Sequence, residues 1–344
     1  MPDVQIIKAS ALSADQIRQW QSFRDSLPIY AVPFFDPEFF QIVAQYRPEL
    51  LIAVLRVGPE VVGFFPFERG RLGIGRPGAS VFSDYHAPIL AAGTRWVPID
   101  LVRQCGLGTW DYWAVPVDFE PMLGHHTCTE RALAIDPRQP VRWQQSLTRK
   151  GRKLAREIGE LRFVPHVETE AMLATLVRWK SSHYERTGAV NLLHLPGVQD
   201  ILRHLMRHAT PDFGGMFSVL YAGERPVACN FGMRSGRWMH WWFPSYDTDL
   251  AGYSPGMLLI REMVTHALEA GFERIDFGPG DEPFKLELGN TSTEIGRGSV
   301  EAPSLIRAGR LLRRRADGWI AGTPLRGPVR RTINAVRRVL HRAG

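Results

Sequence analysis

Midway through the second half of the chain, the hydrophobic pattern changes its period. Residues 170–186 and 197–209 carry apolar side chains at every third or fourth position, which predicts two helices. Residues 216–222, 227–234 and 238–243 are instead extended apolar runs, separated by the turn sequences Gly-Glu-Arg-Pro and Ser-Gly-Arg. Because only short turns connect these runs, we expect an antiparallel meander of three strands.

A further helix and strand complete this pattern. Residues 254–270 predict a helix that ends at Gly271, and residues 274–278 predict a strand after it. The buried stripe of this helix is expected to comprise Ile260, Met263, Val264, Ala267 and Leu268. With a strand at residues 161–167, the order is strand, two helices, three strands, helix and strand. We therefore predict an α/β fold of the α+β type, with helices flanking a mixed, mostly antiparallel sheet.

The first half of the chain shows the same order more weakly. Residues 13–26 and 36–46 predict helices, and residues 50–57 and 61–67 predict a hairpin. A third extended stretch is expected at residues 79–83. Two halves with one order indicate an internal duplication of about 140 residues.

This repetition divides the chain into three parts. We expect an N-terminal unit at residues 1–140, a C-terminal unit at residues 141–300 and a basic tail at residues 301–344 that is helical or disordered. Of the 42 basic residues, 12 are arginines between Arg297 and the end, which explains the net charge of +7. The rest of the chain holds 30 basic and 33 acidic residues, so its charge does not indicate a nucleic-acid-binding fold.

The cysteines and the start of the chain bear on compartment and metal binding. Cys105, Cys128 and Cys229 form no C-x-x-C pair, which argues against a disulfide framework and a structural zinc site. His125 and His126 lie near Cys128, but no further ligands are evident, so no metal is predicted. No signal peptide and no apolar run of about 18 residues is present, and we expect a cytoplasmic protein.

The clearest local signal for a site is Tyr253-Ser254-Pro255-Gly256-Met257 at the start of the late helix. Serine is a favoured N-cap, proline a favoured first residue, and glycine lets the backbone approach a ligand closely. Unpaired amides and the helix dipole at such an end suit a phosphate or pyrophosphate. The alternative is an ordinary capped helix.

Three polar residues near the last two strands are further candidates. Asp276 and Lys285 flank a glycine-containing turn, where a carboxylate could accept an amine proton and a lysine could hold an anion. The alternative is a strand-end turn with a lysine facing solvent. His240 shares a strand face with Trp238 and Trp242, and is either a base with a pKa near neutrality or a hydrogen-bonded core histidine.

Two other segments carry polar or basic side chains. Asp84-Tyr85-His86 follows an apolar stretch of the first half, and either lines a cleft between the units or forms a plain turn. Residues 149–153, together with Arg156, form a basic run at the junction of the halves. This run is either a solvated linker helix or a clamp for phosphate.

Taken together, these segments resemble the CelD/BcsL-type acetyltransferases. This family is a branch of the GNAT (Gcn5-related N-acetyltransferase) superfamily implicated in cellulose and exopolysaccharide biosynthesis, and it is related to the FemAB-like proteins with two GNAT units in tandem. The resemblance covers approximately residues 5–300, and Phe284 stands where the family usually has tyrosine. It rests on Trp179-Lys180, the strand at residues 238–243 with Tyr246, the Tyr253-Ser254-Pro255-Gly256 helix start, and Asp276 with Lys285.

The resemblance implies an enzyme with two tandem GNAT-like units and one active site. The second unit would bind acetyl-CoA or another acyl-CoA as co-substrate, with residues 253–257 in place of the usual Q/R-x-x-G-x-G/A turn. The acyl group would pass to an amine of a sugar or polysaccharide precursor, such as a nucleotide-sugar. Two alternatives stay open, namely a FemAB-like transferase that uses aminoacyl-tRNA and a non-catalytic scaffold of a polysaccharide synthase complex.

Within this scheme each candidate residue has an expected role. Asp276 or His240 removes the amine proton, and Tyr246 or Tyr253 protonates the thiolate. Backbone amides of residues 238–243 hold the thioester carbonyl. The acceptor is expected to contact Asp84, Tyr85, His86, Trp179, Lys180 and Lys285. The tail at residues 301–344 either attaches the enzyme peripherally to the anionic inner membrane or is solvated.

Overall fold

A computed structural model describes residues 2–303, in which strands and helices build one mixed sheet with helices on both faces. The strands are β1 (Asp3–Lys8), β2 (Leu50–Val57), β3 (Glu60–Arg69), β4 (Ile74–Pro77), β5 (Ile89–Leu90), β6 (Thr109–Pro116), β7 (His126–Ile135), β8 (Leu161–Val164), β9 (Phe213–Ala222), β10 (Arg225–Ser235), β11 (Trp238–Tyr246), β12 (Arg274–Asp276) and β13 (Thr291–Glu301). The helices are α1 (Ala14–Arg24), α2 (Pro37–Tyr46), α3 (Pro98–Gln104), α4 (Gln145–Glu157), α5 (Glu170–Thr187), α6 (Val198–Arg207), α7 (Pro255–Glu269) and α8 (Pro283–Leu288). The predicted α/β class is confirmed.

The sheet is continuous across the middle of the chain. Its order is β1-β2-β3-β4-β6-β13-β7-β12-β11-β10-β9-β8, and β5 pairs with β3. The late strand β13 lies between β6 and β7 and is antiparallel to both. β7 also pairs with β12, with Ile275 opposite Ile135. The sheets of the two halves are therefore joined by hydrogen bonds, and the division at residue 140 stays a prediction.

The second half follows the predicted order closely. β9, β10 and β11 form the expected antiparallel meander. α5 ends at Gly188, which has a φ of +67° and so terminates the helix in the left-handed conformation. α6 buries the predicted apolar face, namely Val198, Ile201, Leu202, Leu205 and Met206.

Three local predictions were wrong. Residues 80–82 form a 3-10 turn instead of a strand, because Ala79 and Ser80 have φ values of +63° and +44°. β12 ends at Asp276, short of the predicted residue 278, because the chain turns at Gly278, where φ is +66°. Leu268 was expected on the buried stripe of α7 but is 53% exposed. Val264, one turn earlier, lies at the edge of the buried face with 9% exposure, and Leu268 lies about 40° further round the helix from it, toward solvent.

Two hydrophobic clusters lie on opposite faces of the sheet. The first cluster joins the first half to α5 and α6, and the second contains α4 and α7. Along β11, Met239 and Trp241 belong to the second cluster, whereas the ring of Trp242 packs 5.5 Å from that of Phe34 in the first. β11 is therefore buried on both sides, which fixes the direction of each of its side chains.

Of the predicted tail at residues 301–344, Glu301 ends β13, and residues 304–344 lie outside the described residues. Within residues 2–303, no helix combines the length and the apolar character needed to cross a membrane.

Candidate functional site

β11 and β12 run parallel but soon separate, and a cleft opens where they do. They pair only over Trp238–His240 and Arg274–Asp276, although β11 continues to Tyr246. Beyond His240, the edge of β11 that faces β12 has no strand partner among residues 2–303. A cavity of about 460 Å³ lies between this edge, the start of α7 and the side of α5. Its lining includes Lys180, His183, Arg186, Cys229, Trp241, Pro244, Tyr246, Gly256, Met257, Glu282 and Phe284.

The start of α7 lines the cleft with backbone amides. Pro255 is the first helical residue, and the amide of Leu258 makes the first helical bond, to the carbonyl of Ser254. The amides of Gly256 and Met257 have no acceptor within residues 2–303. Ser254 is not the predicted side-chain cap: its φ is +56°, and its hydroxyl accepts a hydrogen bond of 2.8 Å from Lys150 Nζ. The two amides are thus left for a ligand with negative charge.

Lys180 of α5 forms the opposite wall of the cleft. Its Nζ donates a hydrogen bond of 3.1 Å to the carbonyl of Pro244 at the end of β11, and lies 5.6 Å from the centre of the Tyr184 ring. Burial lowers the pKa of Lys180 to about 8. Its amine therefore gains or loses its charge near neutral pH, next to the splayed strand.

Of the two tyrosines predicted to protonate the thiolate, the structure places one in the cleft. Tyr246 is 41% exposed, and a side chain on Gly256 would bring Cβ within 3.6 Å of its ring. The Tyr253 hydroxyl instead donates a hydrogen bond of 2.6 Å to Glu157 of α4, outside the cleft lining. This hydrogen bond raises the pKa of Tyr253.

Behind the sheet edge, His240 lies between two carboxylates that come from different halves of the chain. Its Nε2 is 2.9 Å from Asp84 Oδ2, and its Nδ1 is 3.2 Å from Asp276 Oδ1. Burial alone would lower the pKa of His240, but the two aspartates raise it above its usual value. The imidazole is therefore stabilised in its charged form.

Asp276 is the fully buried centre of this network. It accepts a hydrogen bond of 2.8 Å from the hydroxyl of Tyr85 and another of 2.8 Å from the amide of Gly278, and Arg274 Nε is 3.3 Å away. Burial would raise the pKa of Asp276, but His240, Arg274 and Tyr85 hold it below its usual value. Asp276 is fully buried and Tyr85 is 1% exposed, so both side chains support the network from inside, and the role of Asp276 or His240 as the base stays a prediction.

Asp84 is the member of the network that solvent reaches. Its side chain is 33% exposed, and a Cβ on Gly278 would lie only 3.0 Å from Asp84 Oδ2. Burial, with the charge of Asp84, raises the pKa of Tyr184 to about 12. Asp84 is not among the residues that line the cleft, and its carboxylate lies beside the turn that contains Gly278.

The other predicted acceptor contacts lie elsewhere. His86 is buried against Trp113 with neither ring nitrogen bonded within residues 2–303, and burial lowers its pKa to about 3. Trp179 packs on the first hydrophobic cluster. Lys285 is buried, donates a hydrogen bond of 2.6 Å to the carbonyl of Pro279 and pairs with Glu282. These roles stay predictions.

Several lining residues were missed by the sequence analysis. Trp241 lines the cleft and could have been predicted as an apolar wall. It follows His240 on the strand, so its side chain lies on the opposite face of the sheet from His240. Cys229, on the neighbouring strand, and Glu282 had no sequence signal, since only the sheet register and the turn after β12 bring them to the cleft. Within residues 2–303, no cluster of three or more histidine, cysteine, aspartate or glutamate side chains could hold a metal ion.

Residues 142–286 match a family model described as an acetyltransferase (GNAT) domain. The matched stretch contains the whole cleft wall formed by α5, β11 and α7. The chain therefore contains a GNAT-type acetyltransferase domain, and the prediction of an acyltransferase is confirmed. No curated protein matches the sequence.

Solved structures share the fold over most of the chain. L-PGS from Bacillus licheniformis has a TM-score of 0.54 at 11% identity, covering 86% of this chain and 96% of that one. FemX has a TM-score of 0.52 at 9% identity, covering 86% and 96%. A tandem GNAT protein from the clavulanic acid biosynthesis pathway has a TM-score of 0.51 at 11% identity, covering 88% and 100%. These likenesses confirm the GNAT-like fold of the chain.

Proposed function

We propose that this protein is an N-acyltransferase of the CelD/BcsL type. It moves an acetyl or acyl group from acyl-CoA to an amine of a sugar or polysaccharide precursor in the biosynthesis of envelope or exopolysaccharide. The observation that carries the proposal is the cleft that joins the unpaired edge of β11 to the free amides of Gly256 and Met257. A thioester and a diphosphate require such donors at the two ends of one groove.

The donor lies along the groove in this proposal. The diphosphate accepts hydrogen bonds from the amides of Gly256 and Met257, at the positive end of the α7 dipole. The pantetheine runs along the edge of β11, and an amide of that edge holds the thioester carbonyl as negative charge develops on its oxygen. Trp241 and Phe284 provide apolar walls that exclude water from the reacting carbon.

The acceptor enters from the α5 side. Its amine nitrogen attacks the thioester carbon, so that the carbon–nitrogen bond forms and the carbon–sulfur bond then breaks. Asp84 takes the amine proton, while His240 and Asp276 hold the Asp84 carboxylate in place. The leaving thiolate takes a proton from the exposed hydroxyl of Tyr246 or from water. Lys180 and Arg186 offer positive charge to a phosphate or carboxylate of the acceptor.

A second candidate function is transfer of an aminoacyl group from tRNA. The observation that favours it is the row of basic side chains on α4, Arg149 to Arg156, next to the start of α7. Such a surface suits the phosphates of a nucleic acid. The third reading, a non-catalytic scaffold, has no specific observation in its favour.

Calorimetric titration of acetyl-CoA into Gly256→Leu tests the donor assignment. A leucine at this position projects toward Tyr246 and occupies the groove beside the free amides. We expect binding to be lost, whereas Gly124→Leu, at a glycine with open space around it, should bind as the native protein does. Unchanged affinity in Gly256→Leu removes the assignment. An acceptor screen that follows the release of free thiol then identifies the amine.

We also propose a cytoplasmic location with peripheral attachment to the inner membrane through residues 301–344. The support is the sequence alone, in which arginines alternate with apolar residues. Co-sedimentation with anionic liposomes, with and without this segment, tests the attachment, and equal recovery of both proteins contradicts it.

A further inference from the structure

The outer face of α4 is unusually basic. Arg149, Lys150, Arg152, Lys153 and Arg156 fall within eight residues, and all but the half-buried Lys150 are exposed. These side chains line a groove of about 730 Å³ that has Gly252 on its other side. Because this groove is concave, several of the charges can reach one ligand.

The positive charge on this face is poorly neutralised. Glu157 is the one acidic side chain of α4, and it is shared among Lys153, Arg156 and the Tyr253 hydroxyl. Within residues 2–303, Arg149 and Arg152 have no acidic partner. Basic residues three and four positions apart on one helix repel each other, so this arrangement destabilises the free helix. The helix dipole accounts for Arg156 near the C-terminus but not for the others.

Contacts attach this basic face directly to the donor cleft. Lys150 Nζ donates to Ser254 Oγ at 2.8 Å, and Lys153 Nζ lies 5.4 Å from the centre of the Tyr253 ring. The segment from Thr248 to Met257 therefore has two sides: Gly252 lines the basic groove, whereas Gly256 and Met257 line the cleft. A ligand that occupies the cleft at α7 can extend into the groove over this segment.

The packing of α4 argues against a lipid surface as the ligand. Its apolar side chains, Leu147 and Leu154, are buried in the second hydrophobic cluster. At Gly151 the helix approaches α7 so closely that a Cβ would lie 3.2 Å from Leu258. A helix that lies in a membrane surface directs its apolar side toward the lipid, and α4 has that side occupied by protein.

We propose that the groove beside α4 binds those phosphates of the nucleotide part of the acyl donor that lie beyond the phosphates held by the α7 amides, while the acyl end of the same donor lies in the cleft. The inference rests on the proposed function, because it assigns a further part of the same donor. Acyl-CoA and aminoacyl-tRNA both carry an activated acyl group on a phosphorylated nucleotide, so both are sources of this chemistry. Arg149 and Arg152, which have no acidic partner within residues 2–303, are the side chains expected to contact phosphate.

Charge reversal on the full-length protein tests this proposal. Arg149→Glu/Arg152→Glu is titrated with acetyl-CoA, with acetyl-dephospho-CoA and with a mixed aminoacyl-tRNA pool at two salt concentrations. Arg71→Glu/Arg95→Glu is the matched control, since both arginines are exposed residues of the first half without an ion pair in the described part of the chain. Circular dichroism establishes that each variant is folded. Arg149→Gln/Arg152→Gln replaces the first variant if charge reversal prevents folding.

We expect the α4 variant to bind the donor at least about tenfold more weakly than the control variant, with a reduced dependence on salt. If acetyl-CoA is the source, removing its 3′-phosphate weakens native binding and no longer matters in the α4 variant. If aminoacyl-tRNA is the source, the α4 variant loses affinity for aminoacyl-tRNA and keeps its affinity for acetyl-CoA. Either result supports the proposal.

Two results overturn the proposal. One is equal donor affinity of the α4 variant and its control. The other is a loss of binding to anionic phosphatidylglycerol vesicles without any change in donor affinity, which would make the face a membrane contact. In both cases the native protein still binds a donor, so the proposed function stands. If the native protein binds neither acetyl-CoA nor aminoacyl-tRNA, the proposed function and this inference fail together.

Discussion

His240 Nε2 lies 2.9 Å from Asp84 Oδ2, and this contact joins a strand of the second half to a loop of the first. On its other side, His240 faces Asp276, which is bonded to Tyr85 of the same loop. The first half thus supplies the only solvent-exposed carboxylate of this network within residues 2–303. A domain cut at residue 140 would lose that carboxylate even if its own strands were retained.

Replacing Asp84 should reduce catalysis without unfolding the protein. Asp84→Asn keeps the size of a side chain that is already 33% exposed but removes the proton acceptor. We expect kcat/KM for acyl transfer to fall about 10²- to 10⁴-fold, with little change in the Kd of acetyl-CoA. Asp118→Asn, at an exposed loop residue, is the control. An active Asp84→Asn enzyme would show that the base lies elsewhere.

The buried His240 should make stability depend on pH. Because the folded protein raises the pKa of His240, its contribution is fully present below the unfolded pKa of about 6.5 and is lost as pH rises through the folded value. We expect Tm to decline above neutral pH for this reason. His240→Gln removes the imidazole and leaves the carboxylates of Asp84 and Asp276 without their cationic partner. We therefore expect the free energy of unfolding to fall by about 3–5 kcal/mol. Thermal melts between pH 5 and 9 measure both effects, and a His240→Gln variant with the native pH slope contradicts the assignment.

Lys180 should limit activity at high pH. Since burial lowers its pKa to about 8, its positive charge is present below pH 8 and is lost as pH rises above this value. If that charge holds an anionic group of the acceptor, KM increases above pH 8 in the native enzyme. Lys180→Arg keeps the charge and should move the rise in KM to higher pH, whereas Lys180→Met should have a high KM throughout. A pH profile of KM that is identical for all three proteins would exclude this role.

Gly278 should be required for the geometry of Asp84 in addition to the backbone turn. An alanine here would place Cβ 3.0 Å from Asp84 Oδ2 and 3.2 Å from His240 Cε1, at a φ of +66°. Gly236→Ala is the control, because Gly236 has a comparable φ of +51° and a Cβ there would have no atom within 4 Å. This variant therefore introduces the same backbone strain without the close contact. Each variant should lose about 1 kcal/mol of stability from strain. Only Gly278→Ala should also lose most of its kcat, and equal activity of the two variants would show that the close approach is unimportant.

The sequence predicted what local pattern determines. Periodicity identified α5, α6 and the meander, and Gly188 marked a helix end, because these features depend on neighbours within a few residues. It also placed His240 and Asp276 among the candidates. The partner of His240 could not be predicted, since Asp84 is 156 residues away in sequence and its position depends on how the halves pack. The role that Ser254 has in place of capping, as an acceptor for Lys150, was likewise hidden because a serine before a proline is typical of a helix cap.

The position of β13 has a consequence for the order in which the molecule can be assembled. During synthesis, β6 and β7 leave the ribosome more than 150 residues before the strand that separates and pairs with them. Until residues 291–301 arrive, both strands present open hydrogen-bonding edges that other nascent chains can pair with. Chains that stop before Thr291 should therefore aggregate, and their recovery should depend on chaperones that shield exposed strands.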